Sequence, residues 1–168
     1  MIRINKGGFL VIISFFLVLN LCAAQCCHGN GLCVGNNATL NCLRDNFDSL
    51  YSTNYSLFWS ILRATEKKAL GCKSTTDTSA FLKLALVRNT NAEFKEYLSE
   101  TIENIATIKP KCFLDSLSTL DPDAVTDVIA LLKNPTFVEE QEIVKVFSKN
   151  RNIKKYKLIM DIYFQMQK

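Results

Sequence analysis

Residues 91–110 read NAEFKEYLSETIENIATIKP, and this stretch decides the fold class. Phe94, Tyr97, Leu98, Thr101, Ile102, Ile105 and Ile108 recur every three or four positions. That spacing gathers them on one side of a 3.6-residue helix, with Glu96, Glu100 and Glu103 largely opposite. Asn91 suits the N-cap, because its side-chain oxygen can accept an orphan backbone N–H. Pro110 stops the helix, since proline disfavours helical backbone in the residue before it.

The same period continues upstream. Leu40, Leu43, Phe47 and Leu50 predict a first helix carrying Cys42, and Leu57, Phe58, Ile61 and Leu62 a second. Gly71 ends that second helix, with Lys67 and Lys68 in its closing turn and Cys72 just beyond. Thr75 to Thr78 offer capping side chains to a short apolar helix through Phe81, Leu84, Ala85 and Val87.

Downstream, Cys112 and Phe113 open a brief segment ending at Leu120. Asp121-Pro122 supplies a cap and a first-turn proline ahead of Val125, Val128, Ile129 and Leu132. Thr136 with Glu139 fits a capping box before Ile143, Val144 and Phe147. A last helix is expected from near Asn152. Its second half, Leu158 to Phe164, has only Asp161 as a charge and is expected to be buried nearly all round. No segment alternates between hairpin turns. The expected fold is all-α: a single compact bundle of about six to eight short helices.

The N-terminal end has a different character. Arg3 and Lys6 precede an apolar run from Phe9 to Leu21, and Cys22-Ala23-Ala24 places small residues before Gln25. These are the three parts of a secretory signal peptide, expected to be cleaved after residue 24. The run is shorter than the roughly 18 to 20 residues that span a bilayer, so no stable membrane span is expected after cleavage. Residues 25–168 are then one helical, disulfide-containing domain, with a secreted, extracellular location.

Residues 25–42 read QCCHGNGLCVGNNATLNC and have turn-forming composition without periodicity. With Cys22 removed, Cys26, Cys27, Cys33, Cys42, Cys72 and Cys112 remain, an even set that implies a disulfide framework. Six cysteines allow 15 pairings, and excluding a strained bond between adjacent Cys26 and Cys27 leaves 12. The stretch is expected to be an irregular strap, with Cys72 and Cys112 offered by the helical body as its anchor. Asn37 and Asn54 head glycosylation sequons; Asn134 does not, because Pro135 follows it.

Charge bounds the partners. The chain after residue 24 holds 18 Lys and Arg against 16 Asp and Glu, too near balance for a nucleic-acid field. The distribution is polarised: residues 92–143 carry a formal −7 and residues 144–168 a formal +6. Lys154, Lys155 and Lys157 follow the X-B-B-X-B-X spacing often proposed for heparin-like polyanions, and are the candidate partner contacts.

Little in the sequence points to catalysis, and no enzyme activity or cofactor is expected. His28 is the one histidine, in the cysteine-rich loop without an evident partner, whereas hydrolytic triads recruit a histidine held by a third group. Cys26, Cys27, His28 and Cys33 lack the Cys-x2-Cys spacing of zinc knuckles, and export favours disulfides over metal thiolates. Trp59 is expected in the core. The adjacent Cys26 and Cys27 match the dipeptide of CC chemokines, but the helical body does not. The expected function is binding: an extracellular interaction or signalling factor, cytokine-like or immune, with a protein receptor or surface polyanion as partner. The alternatives are a carrier of a small hydrophobic ligand or lipid, and a membrane-active defence protein.

Overall fold

The computed structural model describes residues 40–88 and 90–166. The leader, Cys26, Cys27, His28, Cys33 and Asn37 lie outside these described residues. Nine α-helices fill them: α1 Leu40–Asp45, α2 Phe47–Thr53, α3 Tyr55–Gly71, α4 Thr75–Leu82, α5 Ala92–Ile108, α6 Pro110–Leu117, α7 Pro122–Leu132, α8 Glu140–Asn150 and α9 Lys157–Gln165. Short 3₁₀ turns at Lys83–Leu86 and Lys154–Tyr156 join them, and no strand occurs among the described residues. The all-α reading holds.

Asn91 and Asp121 cap as the sequence suggests, Asn54 is a cap the sequence did not single out, and Ser74 rather than Thr75 to Thr78 caps α4. Asn91 Oδ1 accepts from Phe94 N at 2.8 Å, Asp121 Oδ1 from Ala124 N at 2.9 Å, and Asn54 Oδ1 from Leu57 N at 3.2 Å. Each satisfies one of the four N–H groups that a helix start leaves over. Pro110 does more than stop α5: it is the first residue of α6, where a missing N–H costs nothing.

The sequence-expected core runs down the centre. Helix α5 packs against α3, α6, α7 and α8, with Ile102, Ile105 and Ala106 wholly buried. Phe94 of α5 and Phe58, Phe81, Phe113 and Phe147 of other helices are all fully enclosed. At about 2 to 3 kcal/mol for each large side chain removed from water, this cluster is the main source of cohesion.

Several local expectations are overturned. The helix expected over Leu40 to Leu50 is two, broken at Asn46, whose Nδ2 donates to Cys42 O at 3.1 Å. A short amide side chain competing for backbone groups is a known interrupter of helices. Helix α3 does end at Gly71 with Cys72 just beyond, but the left-handed residue at that end is Cys72, at φ 51°, and not the glycine. Cys72 is bonded to Cys112 with the Cα atoms 6.3 Å apart, so these two do not anchor the N-terminal strap. Cys42 is also disulfide-bonded.

Thr136 does not cap α8; the N-cap is Glu139, which makes no side-chain capping bond. The backbone of residues 136–138 turns instead toward Glu103, which is wholly buried rather than on the outer face of α5. The last helix is buried on one face only: Ile159, Met160 and Tyr163 are inside, while Leu158 is 48% exposed.

Candidate functional site

Four-residue spacing places Tyr51 on α2 and Tyr55 and Trp59 on α3 in one ladder, and Tyr97 on α5 continues it. Tyr55 meets Trp59 with ring centroids 6.0 Å apart at 64°, and Trp59 meets Tyr97 at 5.1 Å and 82°. Such edge-to-face pairs are the arrangement that the aromatic quadrupoles favour. The hydroxyls of Tyr51 and Tyr55 each donate to Glu93 at 2.7 Å, one to each carboxylate oxygen. The Tyr97 hydroxyl donates to Glu66 at 2.5 Å.

These bonds shift the titrations in opposite senses. The Tyr51 and Tyr55 hydroxyls hold the Glu93 carboxyl below its usual range. The bond to Glu93, with burial second, raises the Tyr55 phenol. Burial first and the Glu66 bond second push the Tyr97 phenol far above its ordinary value. The Tyr55 and Tyr97 phenols therefore stay neutral and the Glu93 carboxylate stays charged across the physiological range.

Trp59, expected in the core, is only partly buried. Its Nε1 is shielded from water without a well-formed hydrogen bond, though it lies near enough to the Tyr55 oxygen to favour that phenol's ionised form slightly. The Arg63 guanidinium stands 6.0 Å from the Trp59 ring, at the outer range for a cation–π contact.

These side chains line a solvent-open groove of about 830 Å³ between α3 and α5. Its exposed rim carries Glu93, Glu96 and Glu100, with Arg63 as the opposing charge. Phe137, 43% exposed, completes the aromatic lining from the loop before α8. That loop is positioned by Glu103, whose carboxylate accepts from Thr136 N at 3.0 Å, Phe137 N at 2.7 Å and Val138 N at 3.1 Å. A buried carboxylate with three backbone donors has its lone pairs satisfied, and it fixes the backbone that presents Phe137.

The candidate lysines are divided. Lys155 Nζ lies 2.6 Å from Asp115, which also accepts from Lys111 at 2.7 Å and from the Tyr156 hydroxyl at 2.7 Å. Lys157 pairs with Asp161 at 2.6 Å. Lys154 and Lys157 join Arg151 on a second, open cleft of about 460 Å³, and the Arg151 guanidinium covers Phe164 at 4.6 Å. Of the two sequon asparagines, Asn54 is exposed at the start of α3, next to the groove residues Tyr55 and Ser56. Its Oδ1 caps the helix, whereas glycan attachment uses Nδ2.

Sequence reasoning missed the groove. The four-residue spacing of positions 51, 55 and 59 was its available signal, but the helix breaks at Asn54 within that spacing, and only the fold adds Tyr97 to the row. Glu103 and Phe137 had no signal, because only the fold brings them together. Among the described residues no three His, Cys, Asp or Glu side chains converge to hold a metal, and no helix is long and apolar enough to cross a membrane. Comparisons with family models, with curated proteins and with solved structures return no significant match.

Proposed function

We propose that this chain is exported and acts outside the cell by binding, as an interaction or signalling factor whose contact face is the groove between α3 and α5. The observation that carries this reading is the contrast between aromatic side chains buried in the core and others left exposed along an outer groove. Five phenylalanines are wholly buried in the core, while Tyr55 and Phe137 remain 49% and 43% exposed. Half-exposed aromatic side chains beside polar groups are the composition of partner-binding anchors. A carrier of small hydrophobic ligands instead needs an apolar hollow that surrounds its cargo.

The test is saturable binding of the labelled mature chain to intact cells. Replacing Tyr55 and Phe137 together by alanine is expected to weaken that binding at least tenfold while circular dichroism stays unchanged, since hot-spot truncations cost about 2 kcal/mol or more. Full binding by this variant, or no saturable binding, would overturn the reading. A polyanion face at Lys154, Lys155 and Lys157 gives a different result: retention on a heparin column that vanishes when all three are alanine. Lipid co-purifying in native mass spectrometry would favour the carrier.

A further inference from the structure

We propose that the groove between α3 and α5 takes the basic side chains of an arginine- or lysine-bearing segment of a partner protein. The inference rests on the binding role above and names the chemistry of the occupant. Charge complementarity selects it. The rim presents Glu93, Glu96 and Glu100 against the single cation Arg63, and Glu93 is held in its charged form by two tyrosine hydroxyls.

The wall adds a second, independent preference. The rings of Tyr55, Trp59 and Tyr97 stand in edge-to-face succession, and aromatic faces attract cations through the ring quadrupole. Each of the two phenols donates a hydrogen bond to a carboxylate, which enriches the ring in electron density. Arg63 already occupies a marginal position over Trp59 at 6.0 Å. An incoming guanidinium or ammonium would meet Glu96 and Glu100 as counter-charges lining the same groove.

The shape favours a polypeptide segment over a free amine. A groove of about 830 Å³ that stays open to solvent cannot enclose most of a small cation's surface, as small-ligand pockets do. It can seat successive side chains of an extended chain.

Trp59 is the one tryptophan of the sequence, so its emission reports occupancy directly. The mature chain is titrated with a blocked hexapeptide alternating arginine and serine, its glutamate–serine counterpart, and tetramethylammonium. The arginine peptide is expected to change Trp59 emission saturably. The double variant Glu96→Gln/Glu100→Gln is expected to weaken that response about three- to tenfold, with unaltered circular dichroism, because rim charges act mainly through screened attraction.

No saturable response, an equal response to the glutamate peptide, or an unchanged response in the double variant overturns the proposal. Tetramethylammonium saturating at the same concentration overturns the partner segment in favour of a free cation. Concentration-dependent self-association abolished by the double variant overturns it in favour of a second copy. Cell binding lost in the Tyr55/Phe137 variant together with an inert arginine peptide leaves the groove as the contact face and removes only its basic occupant.

Discussion

Glu103 is the residue whose placement separates a helical-wheel reading from the folded protein. Its neighbours in sequence suggested an outer position, yet its side chain is wholly enclosed and accepts three backbone N–H groups. Replacing it by glutamine keeps the volume but removes the charge that strengthens those bonds. Glu103→Gln is expected to cost about 2 to 4 kcal/mol in denaturant unfolding and to free the loop carrying Phe137. An unshifted midpoint would remove Glu103 as the loop's anchor. Asp115 makes a second residue-scale prediction. Bonds from Lys111, Lys155 and Tyr156 hold its carboxyl well below the ordinary value of 3.8. A depressed folded-state pKa contributes stability that is whole above that ordinary value and fades as pH falls beneath it. The deficit of Asp115→Asn should therefore be largest near neutrality, about 1 to 2 kcal/mol, and should shrink below pH 3.8. On the other side, burial and the Asp115 bond push Tyr156 up to about 12. Its contribution is lost as pH climbs from about 10 to about 12; a fluorescence-monitored alkaline titration of Tyr156→Phe checks that limb.

Among the elements, the join between α3 and α6 carries the sharpest consequence. Cys72 closes α3 in the left-handed conformation and is bonded to Cys112 on α6, 40 residues away in sequence. In the chain-entropy account such a loop stabilises by about 4 kcal/mol. Cys72→Ser/Cys112→Ser should lose most of that in thermal or denaturant unfolding. Cys72→Gly/Cys112→Ser should be the more stable of the two by about 1 kcal/mol, because glycine accepts a φ of 51° without a Cβ clash. Equal stabilities would show that the cap is not strained. The helices themselves were legible in the sequence wherever a cap, a stripe and a proline coincided, as at Asn91, Asp121 and Pro110. They were misread where one cue stood alone: Thr136 and Glu139 resemble a capping box, but the nearby buried carboxylate claims the backbone N–H groups of residues 136–138 instead.

For the whole molecule, the Cys72–Cys112 bond changes the framework expected at the N-terminal end. If Cys22 leaves with the leader, as the proposed export requires, and those two are paired to each other, Cys26, Cys27, Cys33 and Cys42 are left to pair among themselves. Excluding the adjacent pair leaves either Cys26–Cys33 with Cys27–Cys42 or Cys26–Cys42 with Cys27–Cys33. Non-reducing peptide mapping is expected to recover one of these sets. A peptide joining residues near position 26 to Cys72 or Cys112 would contradict it. The polarity seen in sequence is also partly resolved in the fold. Lys155 of the basic end crosses to Asp115 of the acidic middle, whereas the carboxylates of Glu96 and Glu100 face the groove rim.

By itself the sequence determined the fold class, the central helix and the caps at Asn91 and Asp121, because these depend on spacing within a few residues. Local periodicity places a side chain on one side of its own helix. It does not say how many neighbours that helix will have. Four helices pack against α5, so its buried arc is wider than a surface helix requires and takes in Glu103. Only the tertiary structure could decide that the polar flank of α5 would split, with Glu103 turned inward to hold a loop and Glu93, Glu96 and Glu100 left at a groove. The same packing turned Trp59 from an expected core residue into a groove wall, and paired Cys72 with Cys112. Each outcome joins residues tens of positions apart, and local spacing carries no information about such contacts.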